Sequence, residues 1–221
     1  MKGNSILHRF TEEIKKDREK LKGKTFLQKL EYYVMYYKIP AIITVAVIAI
    51  LVSVCYTRSQ SKSYGFHADF INASNTISDE SFNREFGEII EIDNDHSIVS
   101  IDSSLYIEGT SQQSISSTEK LAGEINSEIL DVCIMPQSLF LTYAEEGCYG
   151  DLREYLTEEQ TETYSDLFVY QNDIPVGIRA ENFSKLQDAD LYPEEEAPVF
   201  GILYNAPHPT ECSEFLDYLN S

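Results

Sequence analysis

The chain has 221 residues, 43% of them hydrophobic, and a net charge of −20 at neutral pH. An acidic surplus of this size argues against binding to nucleic acid or to anionic surfaces through phosphate neutralisation. The charge is unevenly spread. Residues 1–38 hold ten Lys/Arg against five acids, residues 39–57 hold no charge, and residues 58–221 hold seven basic groups against 32 acids.

Residues 1–24 are polar and helix-prone, with Phe10, Ile14 and Leu21 spaced for one face and Gly23 interrupting it. A basic juxtamembrane segment of this kind is attracted to anionic lipid by roughly 1 kcal/mol per charge. Thr25 and Gln28 have capping-box spacing, so a helix is expected from Phe26. It leads into the uncharged run 39–57, IPAIITVAVIAILVSVCYT. As a helix this run would reach roughly 28 Å, close to the hydrocarbon thickness of a bilayer. Pro40 falls in its first turn, where no N–H is missed. Tyr32, Tyr33, Tyr36, Tyr37 and Lys38 on one side, and Tyr56 and Arg58 on the other, suit the two membrane–water rims. The predicted organisation is a cytoplasmic basic segment (1–38), a transmembrane helix (39–57), a polar linker (58–64) and an extracytoplasmic α/β domain (65–221). The Lys/Arg excess places the N-terminus inside the cell membrane and the acidic domain outside. Val54 before Cys55, where a small residue would be needed, argues against cleavage and lipid attachment.

Beyond the linker, strand and helix patterns alternate. Residues 65–72 alternate Phe66, Ala68 and Phe70 with polar neighbours, as a strand does. Ser78 is placed to cap a helix with Phe82, Phe86, Ile89 and Ile90 as its buried stripe. Asp93-Asn94-Asp95 reads as a turn and residues 97–107 as a strand. Ser116 and Glu119 have capping-box spacing for a helix to about Ser127. Residues 129–135, ILDVCIM, are near-continuously apolar, which suits a central strand, and Pro136 ends it. A helix is expected from Ser138 to Gly147, and another after Thr157, which pairs with Gln160 in capping-box spacing. Residues 168–170 and 174–179 read as strands joined at Gln171-Asn172-Asp173. Asn182 is placed to cap a short helix, residues 188–197 form an acidic loop, and 198–205 a strand. Thr210 is placed to cap a last helix carrying Cys212, Phe215, Leu216 and Leu219. The expected fold class is α/β: one transmembrane helix followed by a single domain built from βαβ units.

Three stretches carry a family resemblance. Residues 119–156 run from a helix into a strand with Asp131, Val132 and Ile134, then a helix from Ser138, Gly147, and Asp151-Leu152. Val176-Gly177-Ile178-Arg179 reads as a return strand. Residues 199–219 place Asn205 after a strand and Phe215-Leu216-Asp217-Tyr218-Leu219 in a helix. Together these resemble segments of type 2 extracellular solute-binding proteins. The resemblance implies a fold like one lobe of such a protein. Full members have two lobes, and the stretch between Leu156 and Ile174 is too short to hold a second. It also implies a binding role, beside a membrane transport complex.

Motifs for chemistry are sparse. His67 and Asp69 share one strand face and Asp95-His96 adjoins a turn; they form a metal site only if the fold brings them together, and scattered polar histidines are the plainer reading. Asp93-Asn94-Asp95 lacks the glycine and the terminal Glu of a calcium loop. There is no Walker loop, G-x-G-x-x-G, G-x-S-x-G or H-E-x-x-H. Glu145-Glu146 and Glu194-Glu195-Glu196 read as solvated surface. No catalytic residue, metal or cofactor is therefore expected. The odd number of cysteines beyond the membrane run (Cys133, Cys148, Cys212) leaves at least one unpaired within the chain. A Cys133–Cys148 bridge would need their Cα atoms within about 7 Å. In an open α/β sheet a ligand would lie beyond the carboxyl ends of the strands, at helix N-termini, which singles out Ser74, Asn75, Gln137, Ser138 and Asn205. The plainer role of these residues is capping and turn formation. The expected function is a single-pass membrane-anchored binding or interaction module. The alternative is a structural or sensory subunit of a membrane transport complex with no small-molecule ligand.

Overall fold

A computed structural model of the chain describes residues 12, 19, 22–60, 62–75, 77, 79–93, 95–193 and 197–221. Ser78, Asn94 and residues 194–196 lie outside them, as do most residues before 22. The chain divides into two compact units, Met1–Ser61 and Lys62–Ser221.

The first unit is dominated by α1 (Phe26–Gln60). Half of the expected capping box is present: the Thr25 N–H donates to Gln28 Oε1 at 3.2 Å. The described side chains of residues 42–53 are all exposed, including Ile42, Ile43, Val45, Val47, Ile48, Ile50, Leu51 and Val52. At 100° per residue these point to every side of the helix. Among the described residues no helix is long and apolar enough to cross a membrane. The side chains of Tyr32, Tyr33, Tyr36, Tyr37, Lys38, Tyr56 and Arg58 lie outside the description. The helix runs to residue 60 and the first strand starts at Ser63, so the linker is shorter than the expected 58–64.

The second unit is a mixed α/β fold around one six-stranded sheet: β1 (Ser63–Phe70), β2 (Ser97–Asp102), β3 (Val132–Pro136), β4 (Phe168–Gln171), β5 (Ile174–Arg179) and β6 (Pro198–Ile202), in the order β2-β1-β3-β6-β5-β4. β1 pairs parallel with both β2 and β3, and these three strands are joined by α2 (Asp79–Ile89) and α3 (Gln112–Asn126). β6 lies antiparallel between β3 and β5, and β4 and β5 form a hairpin. The expectation of βαβ units therefore fits the first half and is corrected in the second. The cause is local at the hairpin: Asn172 and Asp173 both take positive φ (51° and 64°), as a two-residue turn between right-twisted antiparallel strands requires. After β3 come α4 (Gln137–Glu145) and α5 (Glu158–Tyr164), with α6 (Ser184–Asp188) before β6 and α7 (Pro209–Leu219) closing the chain.

Alternation on the strands sorts the core into two layers. On one face Phe66, Ala68, Phe70, Val132, Ile134, Ile178, Phe200 and Ile202 pack with Phe82 and Phe86 of α2 and Phe215, Leu216 and Leu219 of α7. On the other, Cys133, Met135, Val176 and Val199 pack under Leu121 of α3 and Phe140 and Ala144 of α4. β3 is buried along its whole length, as its apolar run predicts. The Thr157–Gln160 capping box is complete. Other caps differ. Ser111, not Ser116, caps α3, its hydroxyl accepting from the Ser114 N–H, so the helix begins a turn earlier than expected. α4, α6 and α7 begin after Pro136, Phe183 and His208 with no side-chain cap, so Ser138, Asn182 and Thr210 do not cap them. β2 ends at Asp102 rather than 107, because the Asp102 carboxylate turns back to the Ser104 N–H and hydroxyl. Cys133, Cys148 and Cys212 are free thiols.

Candidate functional site

Two features of the domain gather polar groups. The first is an open groove of about 890 Å³ at the carboxyl ends of the parallel strands β1 and β3. Its floor is built by Asn72, just beyond β1, in the left-handed conformation (φ 59°). The Asn72 side chain accepts from the Ile107 N–H at 2.6 Å and donates to the Ile107 carbonyl at 3.2 Å, tying the segment after β2 to the end of β1. The Tyr192 hydroxyl bonds the Ile71 and Ile134 carbonyls, closing the end of β1 onto β3. The opposite wall is the first turn of α4. Its N-cap, Pro136, offers no side-chain acceptor, so the positive end of this helix faces the groove without a side-chain cap.

Of the sequence-derived candidates, Ser74, Gln137 and Ser138 line this groove together. Asn75 does not; its amide donates to the Asp190 carbonyl at 2.9 Å and holds the loop after α6. Asn205 follows β6, which runs antiparallel to β3, so it sits at the other end of the sheet, where its amide donates to Ile125 O at the end of α3. The expectation for Asn205 assumed a parallel β6 and is corrected by that reversal. Among the described residues the groove lining contains one acid, Glu108, and no Lys or Arg.

The second feature lies beneath α3, on the sheet face opposite Phe66, Ala68 and Phe70. His67 and Asp69 project there from β1, both nearly or fully buried. His67 Nδ1 lies 3.0 Å from the Ser100 carbonyl of β2. A carbonyl only accepts, so Nδ1 carries the proton and Nε2 points into the cluster. There it meets Asp69 Oδ1 at 3.6 Å and Glu124 Oε1 of α3 at 3.5 Å. Lys120, one turn earlier on α3, reaches Asp102 at 2.5 Å and Glu124 at 3.6 Å. Donor atoms of His67, Asp69 and Glu124 all lie within 4.8 Å of one another. His67 Nε2, both Asp69 oxygens and Glu124 Oε2 have no hydrogen-bond partner. Burial, and then the charge of Glu124, push the Asp69 carboxyl well above its usual range. Burial also acts on Glu124, but the closeness of His67 and Asp69 and the Lys120 charge outweigh it and hold its carboxyl low.

His67 and Asp69 were legible as a pair on one strand face. Glu124 was not singled out, although Ser117, Leu121 and Glu124 follow the spacing of the helix face that turns inward. Asp95 and His96 do not join them: His96 is exposed and its Nδ1 lies 2.8 Å from Asp93 within a turn.

A neighbouring pair is structural. Asp131, fully buried, accepts the His67 N–H at 2.9 Å and the His208 N–H at 2.9 Å, and its Oδ2 lies 3.0 Å from His208 Nδ1. Burial raises its carboxyl, against the pull of His208. This orients the imidazole, but among the described residues no Ser, Thr or Cys side chain hydrogen-bonds to it. The pair therefore clamps the entry of α7 to β1 and offers no activated nucleophile.

Comparison with family models, curated proteins and solved structures finds no match to the chain.

Proposed function

We propose that the chain is a single-pass, membrane-anchored module whose extracytoplasmic α/β domain binds a small polar solute in the groove between β1 and α4. The observation that carries this reading is the position of the groove. It lies beyond the carboxyl ends of adjacent parallel strands, beside a helix start that no side chain caps, with Ser74, Gln137 and Ser138 converging on it. Open sheets of this kind present ligands there because strand ends and helix N-termini leave backbone groups to be satisfied. Among its described residues the lining holds one carboxylate and no cation, which suits a neutral or zwitterionic solute better than an anion. The resemblance to one lobe of a type 2 solute-binding protein agrees with this role, and a single lobe implies a shallow, exchangeable site.

The membrane part of the proposal rests on the sequence of residues 39–57 and on apolar side chains exposed all round α1, which water would not favour. The alternative, a structural or sensory subunit of a transport complex without a ligand, is favoured by one observation. Among the described residues, none of the buried side-chain atoms that lack a hydrogen-bond partner belongs to the groove lining.

The two readings separate in a thermal-shift screen of the detergent-solubilised chain against amino acids, sugars and short peptides. A ligand at ~100 times its dissociation constant adds about 2.7 kcal/mol of stability. A hit that disappears in Ser138→Tyr supports the binding module. A flat screen, with the chain co-purifying with a permease, supports the alternative.

A further inference from the structure

The cluster beneath α3 has a geometry that hydrogen bonding does not explain. The His67 ring is held by Ser100, so its Nε2 lone pair faces two carboxylates at 3.5 and 3.6 Å, beyond hydrogen-bond range. Two donors each ~2.1 Å from one tetrahedral metal ion stand ~3.4 Å apart. A backbone carbonyl on the far nitrogen is also the usual way a metal-binding histidine is fixed in tautomer and direction. The charges agree. Asp69, Glu124 and Asp102, when ionised, set three negative charges against the single ammonium of Lys120, and the surplus matches one divalent cation. In a buried seam such a surplus is costly unless a cation or a proton compensates it.

We propose that His67 Nε2, Asp69 and Glu124 form a binding site for one divalent transition-metal ion of the zinc class, which pins α3 to the β1–β2 edge of the sheet. One imidazole with two carboxylates suits zinc or manganese and disfavours magnesium and calcium, which take oxygen ligands. Glu124 and Lys120 are the exposed side of the cluster, so the ion enters past them and solvent completes its coordination. The site is separate from the groove, whose lining shares no residue with it.

The test uses the untagged full chain in detergent, stripped with chelator and dialysed against zinc, with magnesium as the control. The expected result is one zinc per chain at low micromolar free metal, none of it replaced by magnesium, and a higher melting temperature on loading. Glu124→Gln and His67→Gln each weaken binding at least tenfold and abolish the thermal gain. X-ray absorption at the zinc edge of the unmutated chain, which needs no variant to fold, shows one imidazole among oxygens. Failure to retain zinc, retention undiminished in both variants, or a sulfur-containing shell would overturn the site. A metal-free chain that melts at the same temperature with and without zinc would show instead that Asp69 and Glu124 simply share a proton.

Discussion

Across the sheet His67 stands beside Ser100 of β2, and Asp69 stands between Asp102 of β2 and Cys133 of β3. Their meaning depended on Glu124, 55 residues further along than Asp69, and no local pattern links the two. The reverse holds for glycine. Gly177 and Gly201 are positions where the ring of Phe140 lies flat on the sheet: a Cβ at either would stand 2.5 Å from a Phe140 ring atom. Phe140 in turn stacks on Tyr149 with centroids 4.1 Å apart. Gly177→Ala is expected to cost about 1–3 kcal/mol through overpacking, read as a lower urea midpoint; an unchanged midpoint would mean that the ring can slide. A surface group gives the pH dependence. Glu85 accepts from Lys185 at 3.2 Å and from the Tyr218 hydroxyl at 3.0 Å, and these bonds hold its carboxyl below the ordinary value. Its folded pKa is the lower one, so its contribution is present above the ordinary carboxylate range and is lost as pH falls through the folded value. Exposure keeps the effect small. The difference in urea midpoint between the unmutated chain and Glu85→Gln should therefore be seen at pH 7 and shrink as the pH falls below the ordinary carboxylate range.

At the scale of elements, what was legible is what is local. The apolar run of β3, the alternation in β1, the capping box of α5 and the turn at Asn172-Asp173 all depend on residues within a few positions of one another. The insertion of β6 between β3 and β5 was not legible, because pairing between distant strands is decided by side-chain fit across the sheet. That one reversal moved Asn205 away from Ser74, Gln137 and Ser138, which the parallel half brings to one groove. Helix starts failed where the backbone took over from the expected side-chain cap, as after Pro136, where the Gln137 N–H donates to the Ala197 carbonyl at 3.0 Å. Two expectations follow. Ser111→Ala removes the α3 cap and should cost about 1 kcal/mol, whereas Ser116→Ala should cost little, compared by urea denaturation. Asp173→Gly relieves a positive φ of 64° in the hairpin turn and should stabilise by a few tenths of a kcal/mol or more; a loss would show that the Asp side chain holds the turn.

For the whole molecule, the uncharged run ends at residue 57, close to the structural division after residue 61. The basic and uncharged stretches fall in the first unit and nearly all the acids in the second. That near-coincidence supports the proposal that the second unit is held outside a membrane by the first. Under that proposal the acidic surface would keep the domain soluble beside a negatively charged membrane. The most direct measurement is protease accessibility on intact cells, combined with alkaline extraction of their membranes. If the domain is tethered outside, added protease removes residues 62–221 from intact cells, a fragment holding residues 1–60 stays with the membrane, and alkali does not extract the chain. A domain that resists protease until the cells are lysed, or a chain released by alkali, would contradict it.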